Sequence, residues 1–265
     1  MNQENLMDCI EIIKGAIGRP NKTNCIESFS SVQDKVLANM YDVVSLNPVV
    51  LIEKYSTYNR LFYFLTGNEN AEVFENLQKK LDVYEHIYAD FTTKSVLLNE
   101  DSFFEKASFS PYRIYARKNV KKTDKRYKEL LPVSLAKNED SNVINDLLCS
   151  TFDMMSDHIP QLDELRDLLK KNEVLKVEIQ GNLAGVLLFH DCGVQSYARC
   201  LCVVPEFQNG FIGYSLLAKY FNSHLESDAK NFYLWVDEKN DAVRKLHDSF
   251  GYRADGLKNY VFKRG

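Results

Sequence analysis

The sequence predicts an α/β chain of two units, each with the strands of a sheet covered by helices. Segments with helical periodicity alternate with strand-like segments along both halves, which is typical of a layered α/β architecture. The length of 265 residues favours about two domains, at roughly 150 residues for each. Hydrophobic residues make up 45% and charged residues 26%, as in ordinary globular proteins, so a disordered or fibrous chain is excluded.

The first unit is predicted to span residues 1–118 and to begin with an amphipathic helix. Leu6, Cys9 and Ile13 recur at the spacing that places apolar side chains on one helical face. The predicted elements are helices over about 3–17, 30–45, 70–86 and 102–107, and strands over about 49–55, 60–65, 95–98 and 112–117. The first two of these strands are joined by a short polar turn, which predicts a hairpin.

A run of Lys and Arg without apolar periodicity lies between residues 117 and 128. One interpretation is a patch that binds phosphate or nucleic acid, and the other is a solvated linker. The formal net charge is −4, so no basic field elsewhere in the chain supports the first interpretation. We therefore expect a linker over 119–129, and the charge also argues against a nucleic-acid partner.

The second unit is predicted to span residues 130–265. Its predicted strands lie over about 130–135, 174–179, 183–189, 195–204 and 232–236, and its helices over about 142–155, 162–171, 213–226 and 241–250. Residues 252–263 are expected to close the chain as an extended hairpin. Gly181-Asn182 predicts a tight turn between two of the strands.

Targeting and metal signals are absent from the sequence pattern. The first seventeen residues contain interspersed charges rather than the unbroken apolar stretch of a signal peptide, and no run approaches the length of a membrane helix. None of the six cysteines forms a C-x-x-C pair, which favours reduced thiols in a cytoplasmic protein without a metal site. Cys200 and Cys202 are expected to pack on one face of a strand.

The segment from Leu201 to Leu217 carries the most specific signal. An apolar strand ends at Pro205, and a short polar loop with glycines then leads directly into a helix. The first N–H groups of a helix have no intrahelical acceptor and lie at the positive end of its dipole, so they can bind a pyrophosphate. Glycines in such a loop let the backbone approach the anion.

This loop resembles the acetyl-CoA loop of the GNAT (GCN5-related N-acetyltransferase) superfamily, with the pattern V-x-P-x-x-[RQ]-x-x-G-x-[GA]. Val203, Pro205, Gln208 and Gly213 match it. Phe211 stands where the pattern has its middle glycine, and Gly210 precedes it. Either the loop is shifted by one residue, or cofactor binding is weakened.

A second motif of the family, N-x(5)-[LI]-Y-x-x-x-G-[FY], is matched by Asn240, Leu246, Gly251 and Tyr252. His247 replaces the usual Tyr. The resemblance covers about residues 130–265 and implies a mixed, mostly antiparallel central sheet flanked by helices, preceded by a smaller α/β unit.

The resemblance implies an acetyl-CoA-dependent N-acyltransferase that moves an acetyl group directly to an amine. The N–H of Val203 would polarise the thioester carbonyl. His247 would be the general acid, or it would have no catalytic role. The residues implied in cofactor binding are Leu201, Val203, Gln208, Asn209, Gly210, Phe211, Ile212, Gly213 and Asn240. The acceptor would be a small-molecule or peptide amine, with no nucleic-acid or membrane partner, and a homodimer is left open.

The general base is not evident, because the strand over 197–201 offers no carboxylate. His190 is the base candidate at the end of the preceding strand, together with Asp191, Glu178 and Asp237, and a chain of water molecules is another interpretation. The alternative function is a catalytically silent acyl-CoA-binding or interaction protein of the same fold.

The first half shows a faint similarity to the second. Its strand over 60–66, helix over 70–86 and strand over 95–98 follow the same order as the elements around the cofactor loop. The equivalent of the Pro205-x-x-Gln208 pattern is missing. The first half is thus expected to be either a truncated GNAT-like unit without a phosphate loop or an unrelated α/β domain.

Overall fold

The structure is a computed structural model that describes residues 3–19, 22–67, 69–94, 103–208 and 210–265. It divides into two compact units. Unit 1 consists of Met1–Ile114 and Leu257–Gly265, and unit 2 consists of Tyr115–Gly256. Each unit is a sheet with helices on both faces.

Unit 1 combines two N-terminal helices, a three-stranded meander and a β-α-β crossover. Its helices are α1 (Gln3–Ala16), α2 (Phe29–Leu37), α3 (Ala71–Leu81) and α4 (Phe103–Lys106), and its strands are β1 (Asp42–Leu46), β2 (Val49–Lys54), β3 (Asn59–Phe64) and β4 (Ile87–Thr93). The predicted hairpin over 49–65 is confirmed, since β2 and β3 are antiparallel partners.

Alternating side chains of β2 divide the interior of unit 1 between two helix layers. Val49 and Leu51 pack with residues of α1 and α2, such as Ile13. Val50 and Ile52 pack with α3 and α4 on the other face. Both faces of the strand are therefore buried, which explains its continuous apolar run.

The predicted boundaries of unit 1 differ from the structure in two places. Helix α2 ends at Leu37, and β1 replaces the end of the helix predicted over 30–45, because the segment with the β-branched Val43 pairs with β2, Val43 itself with Leu51. Helix α3 ends at Leu81, and the strand after it begins at Ile87. The strand predicted over 95–98 lies outside the described residues.

Unit 2 carries the larger sheet. Its helices are α5 (Ser141–Thr151), α6 (Leu162–Lys170), α7 (Ile212–Ser223) and α8 (Asp241–Ser249). Its strands occur in the order β5 (Ser110–Lys121), β10 (Asn231–Asp237), β9 (Gln195–Val203), β8 (Asn182–Cys192), β7 (Val174–Ile179) and β6 (Ser134–Leu135). The pairs are antiparallel except for β9 with β10. The predicted mixed, mostly antiparallel sheet flanked by helices is therefore confirmed.

The two faces of this sheet have separate cores. Helix α7 covers one face with residues such as Leu216 and Tyr220. Helices α5 and α6 cover the other, where Cys200 and Cys202 pack together with Leu165. The prediction that both thiols share one strand face is confirmed.

The last strand of each half belongs to the other unit. Residues Lys258–Arg264 of β11 (Arg253–Arg264) pair with β4 of unit 1, whereas Tyr115–Lys121 of β5 pair with β10 of unit 2. The predicted units 1–118 and 130–265 differ from this division. The end of β5 and the end of β11 each pair with a strand that is distant in the sequence, and this pairing places them in the other unit. The expected C-terminal hairpin is a single strand.

The predicted linker over 119–129 is only partly irregular. Its first three residues continue β5, and Val120 is paired with Phe232. Tyr127 then packs against the rings of Phe221 and Phe250, with centroid separations of 5.5 Å and 4.7 Å. The many Lys and Arg residues of this segment gave no sequence signal for its pairing with β10 or for the packing of Tyr127.

The order of elements is the same in both halves. The same series runs from α1 to β5 and again from α5 to β11. It consists of two helices, three antiparallel strands, a helix, a strand, a helix and a last strand. In both halves the second crossover strand runs parallel to the first, as β3 with β4 and β9 with β10. The predicted internal similarity thus extends from α1 to β5 and from α5 to β11, with β6 outside the repeat. Within the described ranges, no helix has the length and apolarity needed to cross a membrane.

Candidate active site

The parallel strands β9 and β10 separate after a short paired region. In the part of the chain that the structure describes, their pairing is confined to Gln195–Tyr197 with Asn231–Tyr233. Beyond it, β9 continues to Val203 and β10 continues to Asp237. The space between these unpaired portions is called the β9–β10 gap below. It leaves backbone groups of two central strands available to a ligand.

A β-bulge in β9 lies next to the gap. Leu188 is paired with Cys200, and Phe189 is paired with Ala198, so Arg199 is an extra residue. Its guanidinium donates from Nε and Nη2 to the backbone oxygen of His158, at 3.0 Å and 2.7 Å. Bulges bend a strand and redirect its side chains. The only sequence signal for this bulge was a charged residue within an apolar strand.

The N–H of Val203 points into the gap. The next residue, Val204, donates its N–H to the backbone oxygen of Ala184 on the β8 side at 3.0 Å. Successive N–H groups of a strand point to opposite edges. The N–H groups of Val203 and Leu201 therefore point away from β8 and toward β10, which supplies the backbone donor that the sequence predicts.

The loop after β9 leads directly to the start of α7. Pro205–Phe207 form a 3₁₀ turn, Gln208 is extended, and Phe211 precedes the helix without a side-chain cap. Asn209 lies outside the described residues. The first N–H groups of α7, from Ile212 to Tyr214, are of the kind that has no intrahelical acceptor. This helix end can therefore bind an anion.

Two glycines let the start of α7 lie close to the sheet. A Cβ on Gly185 would be 2.7 Å from Cγ2 of Ile212 and 2.9 Å from the backbone oxygen of Cys202. A Cβ on Gly213 would be 3.1 Å from Cδ2 of Leu246 and 3.8 Å from Cγ2 of Val203. The helix N-terminus is therefore held beside the end of β9, where the gap opens.

Phe211 adopts the backbone conformation of a glycine. Its φ is 61° and its ψ is 10°, in the left-handed region, and its side chain is 64% exposed. This conformation costs a residue with a Cβ about 1–2 kcal/mol. Gly210 is not among the residues with positive φ. The backbone thus favours the unshifted register, with Phe211 in the place of the middle glycine.

His247 is buried in α8, with 4% of its surface exposed. Among the described residues, its Nδ1 has no hydrogen-bond partner. Burial, followed by the charge of the neighbouring Lys118, lowers the pKa of His247 to about 4, and Asp248 opposes the shift only in part. The imidazole is therefore neutral at pH 7. A role as general acid stays a prediction that this environment does not favour.

The depressed pKa predicts an acid-sensitive contribution to stability. The unfolded state binds a proton at His247 near pH 6.5, whereas the folded state does so only near pH 4. The stabilisation is thus complete above pH 6.5 and is lost as the pH falls toward 4. Between pH 7 and pH 4.5 the free energy of unfolding of the wild type should fall. We expect this fall to be about 2 kcal/mol smaller for His247→Phe, which has no group to protonate at this position. Urea unfolding of both proteins at the two pH values measures this difference, and equal losses would contradict it.

His190 lies far from the gap. It is paired with Tyr197, six residues before Val203, which corresponds to about 20 Å along the strand. Its Nδ1 is 3.1 Å from Oε2 of Glu173. The structure therefore does not bring the predicted base candidate together with Val203, because the candidate stands at the opposite end of β9.

The other base candidates occupy different places. Asp191 contacts Nε2 of His224 at 3.0 Å, also at the far end of β8. Glu178 lies on β7, two strands from β9, and contacts Nζ of Lys176 at 3.1 Å. Asp237 ends β10 and is the only one of these carboxylates that borders the gap.

Asn240, predicted to bind the cofactor, caps a helix. Its Oδ1 accepts a hydrogen bond from the N–H of Val243 at 3.2 Å, in the first turn of α8. Asn is a preferred residue at this position, because its side chain satisfies a backbone donor that the helix cannot. The contact shown for Asn240 is structural.

Unit 1 has a similar separation of strands but a different loop. The pairing of β3 with β4 is confined to Asn59 and Arg60 in the described ranges. In the following loop, the carboxylate of Glu69 accepts from the hydroxyl of Thr66 at 2.8 Å and from the N–H of Gly67 at 3.0 Å. Burial raises the pKa of Glu69, but these hydrogen bonds outweigh burial and lower it. An internal carboxylate thus occupies backbone donors of this loop.

Comparison with known proteins agrees with this geometry. Residues 142–252 match the Acetyltransferase (GNAT) family. The comparison with curated protein sequences finds no match. A GCN5-related N-acetyltransferase from Sphaerobacter thermophilus is 12% identical, with a TM-score of 0.60 over 90% of this chain and 86% of that chain.

Two further solved structures are similar over most of their length. A GCN5-related N-acetyltransferase from Kribbella flavida is 12% identical, with a TM-score of 0.55 over 88% of this chain and 93% of that chain. A tandem GNAT protein from the clavulanic acid biosynthesis pathway is 9% identical, with a TM-score of 0.54 over 99% of this chain and 95% of that chain. At these identities the likeness establishes the fold. Residues 142–252 therefore match the Acetyltransferase (GNAT) family, and the fold over 99% of the chain is similar to that of a tandem GNAT protein.

Proposed function

We propose that the chain is an acetyl-CoA-dependent N-acyltransferase whose active site is the β9–β10 gap of unit 2. The observation that carries this proposal is the position of the gap beside the N-terminus of α7. The N–H of Val203 points into the gap, and the uncapped helix end lies next to it. One end of the site can thus bind a carbonyl oxygen and the other an anion.

The residues present fit acetyl-CoA. Backbone N–H groups at the start of α7, from Ile212 to Tyr214, would hold the pyrophosphate, because the helix dipole favours an anion there. The N–H groups of Gln208 and Gly210, which the sequence also predicts for this role, instead donate to the backbone oxygens of Pro205 and Phe207 within the loop. Gly185 and Gly213 have no Cβ, and a Cβ at either position would collide with neighbouring atoms. The N-terminus of α7 can therefore lie close to Val203. When bound, acetyl-CoA supplies an acetyl group as a thioester, which an amine can convert to an amide. The N–H of Val203 would stabilise negative charge on the carbonyl oxygen.

A catalytically silent acyl-CoA-binding protein is the second candidate. It is supported by His247, which replaces the usual Tyr of the family and is buried and neutral at pH 7. A transferase site tolerates the loss of this acid, because the CoA thiol is already a fair leaving group. For this reason we favour the transferase, with a small-molecule or peptide amine as the acceptor.

Calorimetric titration with acetyl-CoA, followed by a thiol-release assay with a panel of amines, tests the proposal. We expect one acetyl-CoA to bind per chain and free thiol to appear only when an amine is present. Binding without thiol release across the panel would favour the silent protein. A chain that binds no CoA species would contradict both candidates.

A further inference from the structure

The segment that follows β5 lies along α7. Residues 122–131, called the strap below, contain four Lys and Arg residues of the basic run, for which the sequence allows phosphate binding or a solvated linker. The N–H of Tyr127 donates to Oδ1 of Asn222 at 2.9 Å, and Nδ2 of Asn222 donates to the backbone oxygen of Tyr127 at 2.9 Å. One amide side chain of α7 therefore binds the strap as a neighbouring strand would.

The contacts continue toward the N-terminus of α7. Nδ2 of Asn222 also donates to Oε1 of Glu129 at 3.0 Å, and Oε2 of Glu129 lies 3.8 Å from Nζ of Lys219. The N–H of Leu131 donates to Oγ of the fully buried Ser215 at 3.1 Å. The strap thus runs antiparallel to α7, from the last turn of the helix to its first.

These contacts follow one stripe of the helix. Ser215, Lys219 and Asn222 are separated by four and three residues, which places them on one face of α7. The strap contributes every second residue of 127–131. The stretch of α7 from Ser215 to Asn222 is about 10 Å long, and the part of the strap that contacts it can extend to about 13 Å. The two segments therefore match in length and in spacing.

An aromatic anchor joins the strap to the end of α8. The ring of Tyr127 lies 4.7 Å from the ring of Phe250, which directly follows α8, and the hydroxyl of Tyr127 donates to the backbone oxygen of Phe250 at 3.4 Å. The ring of Phe250 in turn lies 5.1 Å from that of Tyr214, in the first turn of α7. The strap thus reaches the start of α7 by two routes, through Ser215 and through Phe250.

The basic side chains of the strap are on its outer side. Arg126 and Lys128 alternate with the residues that contact α7, and both are exposed. Nζ of Lys125, also exposed, lies 4.6 Å from the centroid of the Tyr127 ring. Solvent exposure therefore accounts for the basic composition, while uncharged groups make most of the contacts with α7.

We infer that the strap positions the cofactor site, with Tyr127 and Asn222 as positioning residues that hold α7 in place. This inference rests on the proposed function, in which the start of α7 binds the pyrophosphate of acetyl-CoA. Binding of the strap and binding of the cofactor then favour the same placement of α7, so each strengthens the other by the same factor. The role of the strap depends on its hydrogen bonds to α7 and not on its positive charge.

Calorimetric titration with acetyl-CoA separates hydrogen bonding from charge. Asn222→Ala removes the bonds of α7 to Tyr127 and Glu129, and we expect it to weaken binding about fivefold to tenfold, as is usual for residues coupled to a distant site. The matched control combines Arg126→Ala with Lys128→Ala, which removes two exposed cations of the same strap. Its affinity should stay within about twofold of the wild type at low salt, where a phosphate-binding patch would contribute most.

An exchange of donor and acceptor adds a rescue that loss of packing would not give. Asn222→Asp removes the donor that Glu129 accepts from and brings two carboxylates together, so it should bind acetyl-CoA at least as weakly as Asn222→Ala. Adding Glu129→Gln supplies a donor to the new carboxylate and should recover part of the affinity. A thermal melt checks that each variant is folded.

Hydrogen exchange reports the strap directly, without any turnover. The N–H groups of Tyr127 and Leu131 donate to α7, so their exchange requires release of the strap. Saturating acetyl-CoA should slow both by about fivefold or more. The N–H of Phe189 donates to the backbone oxygen of Glu173 at 2.9 Å, at the far end of β8, and its exchange is the control. It should change by less than about twofold, because this end of the sheet does not contact the strap.

The outcomes separate this inference from the proposed function. The positioning role would be overturned by an unchanged affinity of Asn222→Ala, by an equal loss in the variant without Arg126 and Lys128, by the absence of any rescue, or by strap amides that do not respond to acetyl-CoA. In each of these cases the wild type still binds acetyl-CoA, and the proposed function stands. A wild-type chain that binds no acetyl-CoA would instead contradict the proposed function, and the positioning role with it.

Discussion

A chain that ends at Gly256 is expected to lose the fold of unit 1, although every residue of that unit before Ile114 is still present. The deletion removes the segment of β11 that pairs with β4 over Lys258–Arg264. Val261 and Phe262 are almost fully buried, and Phe262 stacks on Phe104 at 3.9 Å. Loss of one such Phe side chain alone costs about 3–5 kcal/mol. Removal of the whole strand is therefore comparable with the 5–15 kcal/mol that stabilise a typical domain.

Hydrogen exchange of the shortened chain measures this effect. We expect the amides of β3 and β4 to lose their protection, because their sheet then lacks its fifth strand. Phe262→Ala should give a partial loss, and Lys258→Ala, at a side chain that contributes no apolar core, should give little. A chain ending at Gly256 that melts within a few degrees of the full chain would show that unit 1 does not depend on β11.

The substitution Gly185→Ala is expected to destabilise unit 2 by about 3 kcal/mol, at the upper end of the cost of overpacking. The new Cβ would lie 2.7 Å from Cγ2 of Ile212 and 2.9 Å from the backbone oxygen of Cys202. Neither atom is the end of a flexible side chain, so the start of α7 must move away from the sheet. We therefore also expect the affinity for acetyl-CoA to fall at least tenfold.

Gly15→Ala is the matched control for this substitution. A Cβ at Gly15 of α1 would meet no atom within 4 Å. Alanine is the better helix former, so this variant should gain about 0.5–1 kcal/mol. Urea unfolding and calorimetry of both variants measure the two effects. A Gly185→Ala protein as stable as the wild type would show that α7 does not contact β8 as closely as described.

The elements that frame the candidate site of unit 2 were largely predictable from local sequence. Pro205 ends a strand, glycines follow it, and a helix begins where the spacing predicts. The direction of the Val203 N–H then follows from strand alternation alone. These features depend on residues close together in the chain, for which turn and helix signals are strongest.

Features that depend on distant pairing were not predictable in the same way. β5 pairs with β10 of unit 2, and β11 pairs with β4 of unit 1. The sequence of a short strand does not specify which strand it pairs with, so this exchange could not be predicted. The far position of His190 follows from the register of β8 with β9. His247 is buried with its ring centroid 5.7 Å from that of Tyr252, and no local pattern reveals this burial. The carboxylate of Glu69 was visible as a residue, but its hydrogen bonds to the loop backbone were not.

Residue 211 offers the most direct test of the central claim, that the start of α7 binds the pyrophosphate of acetyl-CoA. Phe211 is exposed and left-handed, and both Asn and Asp tolerate that backbone conformation better than Phe. The variants Phe211→Asn and Phe211→Asp differ only in one negative charge. That charge favours the helix N-terminus, so neither variant should be less stable than the wild type.

Calorimetric titration of acetyl-CoA into the wild type and these two variants is the decisive measurement. We expect one acetyl-CoA per chain, similar affinity for the wild type and Phe211→Asn, and at least tenfold weaker binding to Phe211→Asp. The difference between the two variants should diminish at high salt, because it arises from repulsion between the carboxylate and the pyrophosphate. Equal affinities for Phe211→Asn and Phe211→Asp, or a wild-type chain that binds no acetyl-CoA, would contradict the claim.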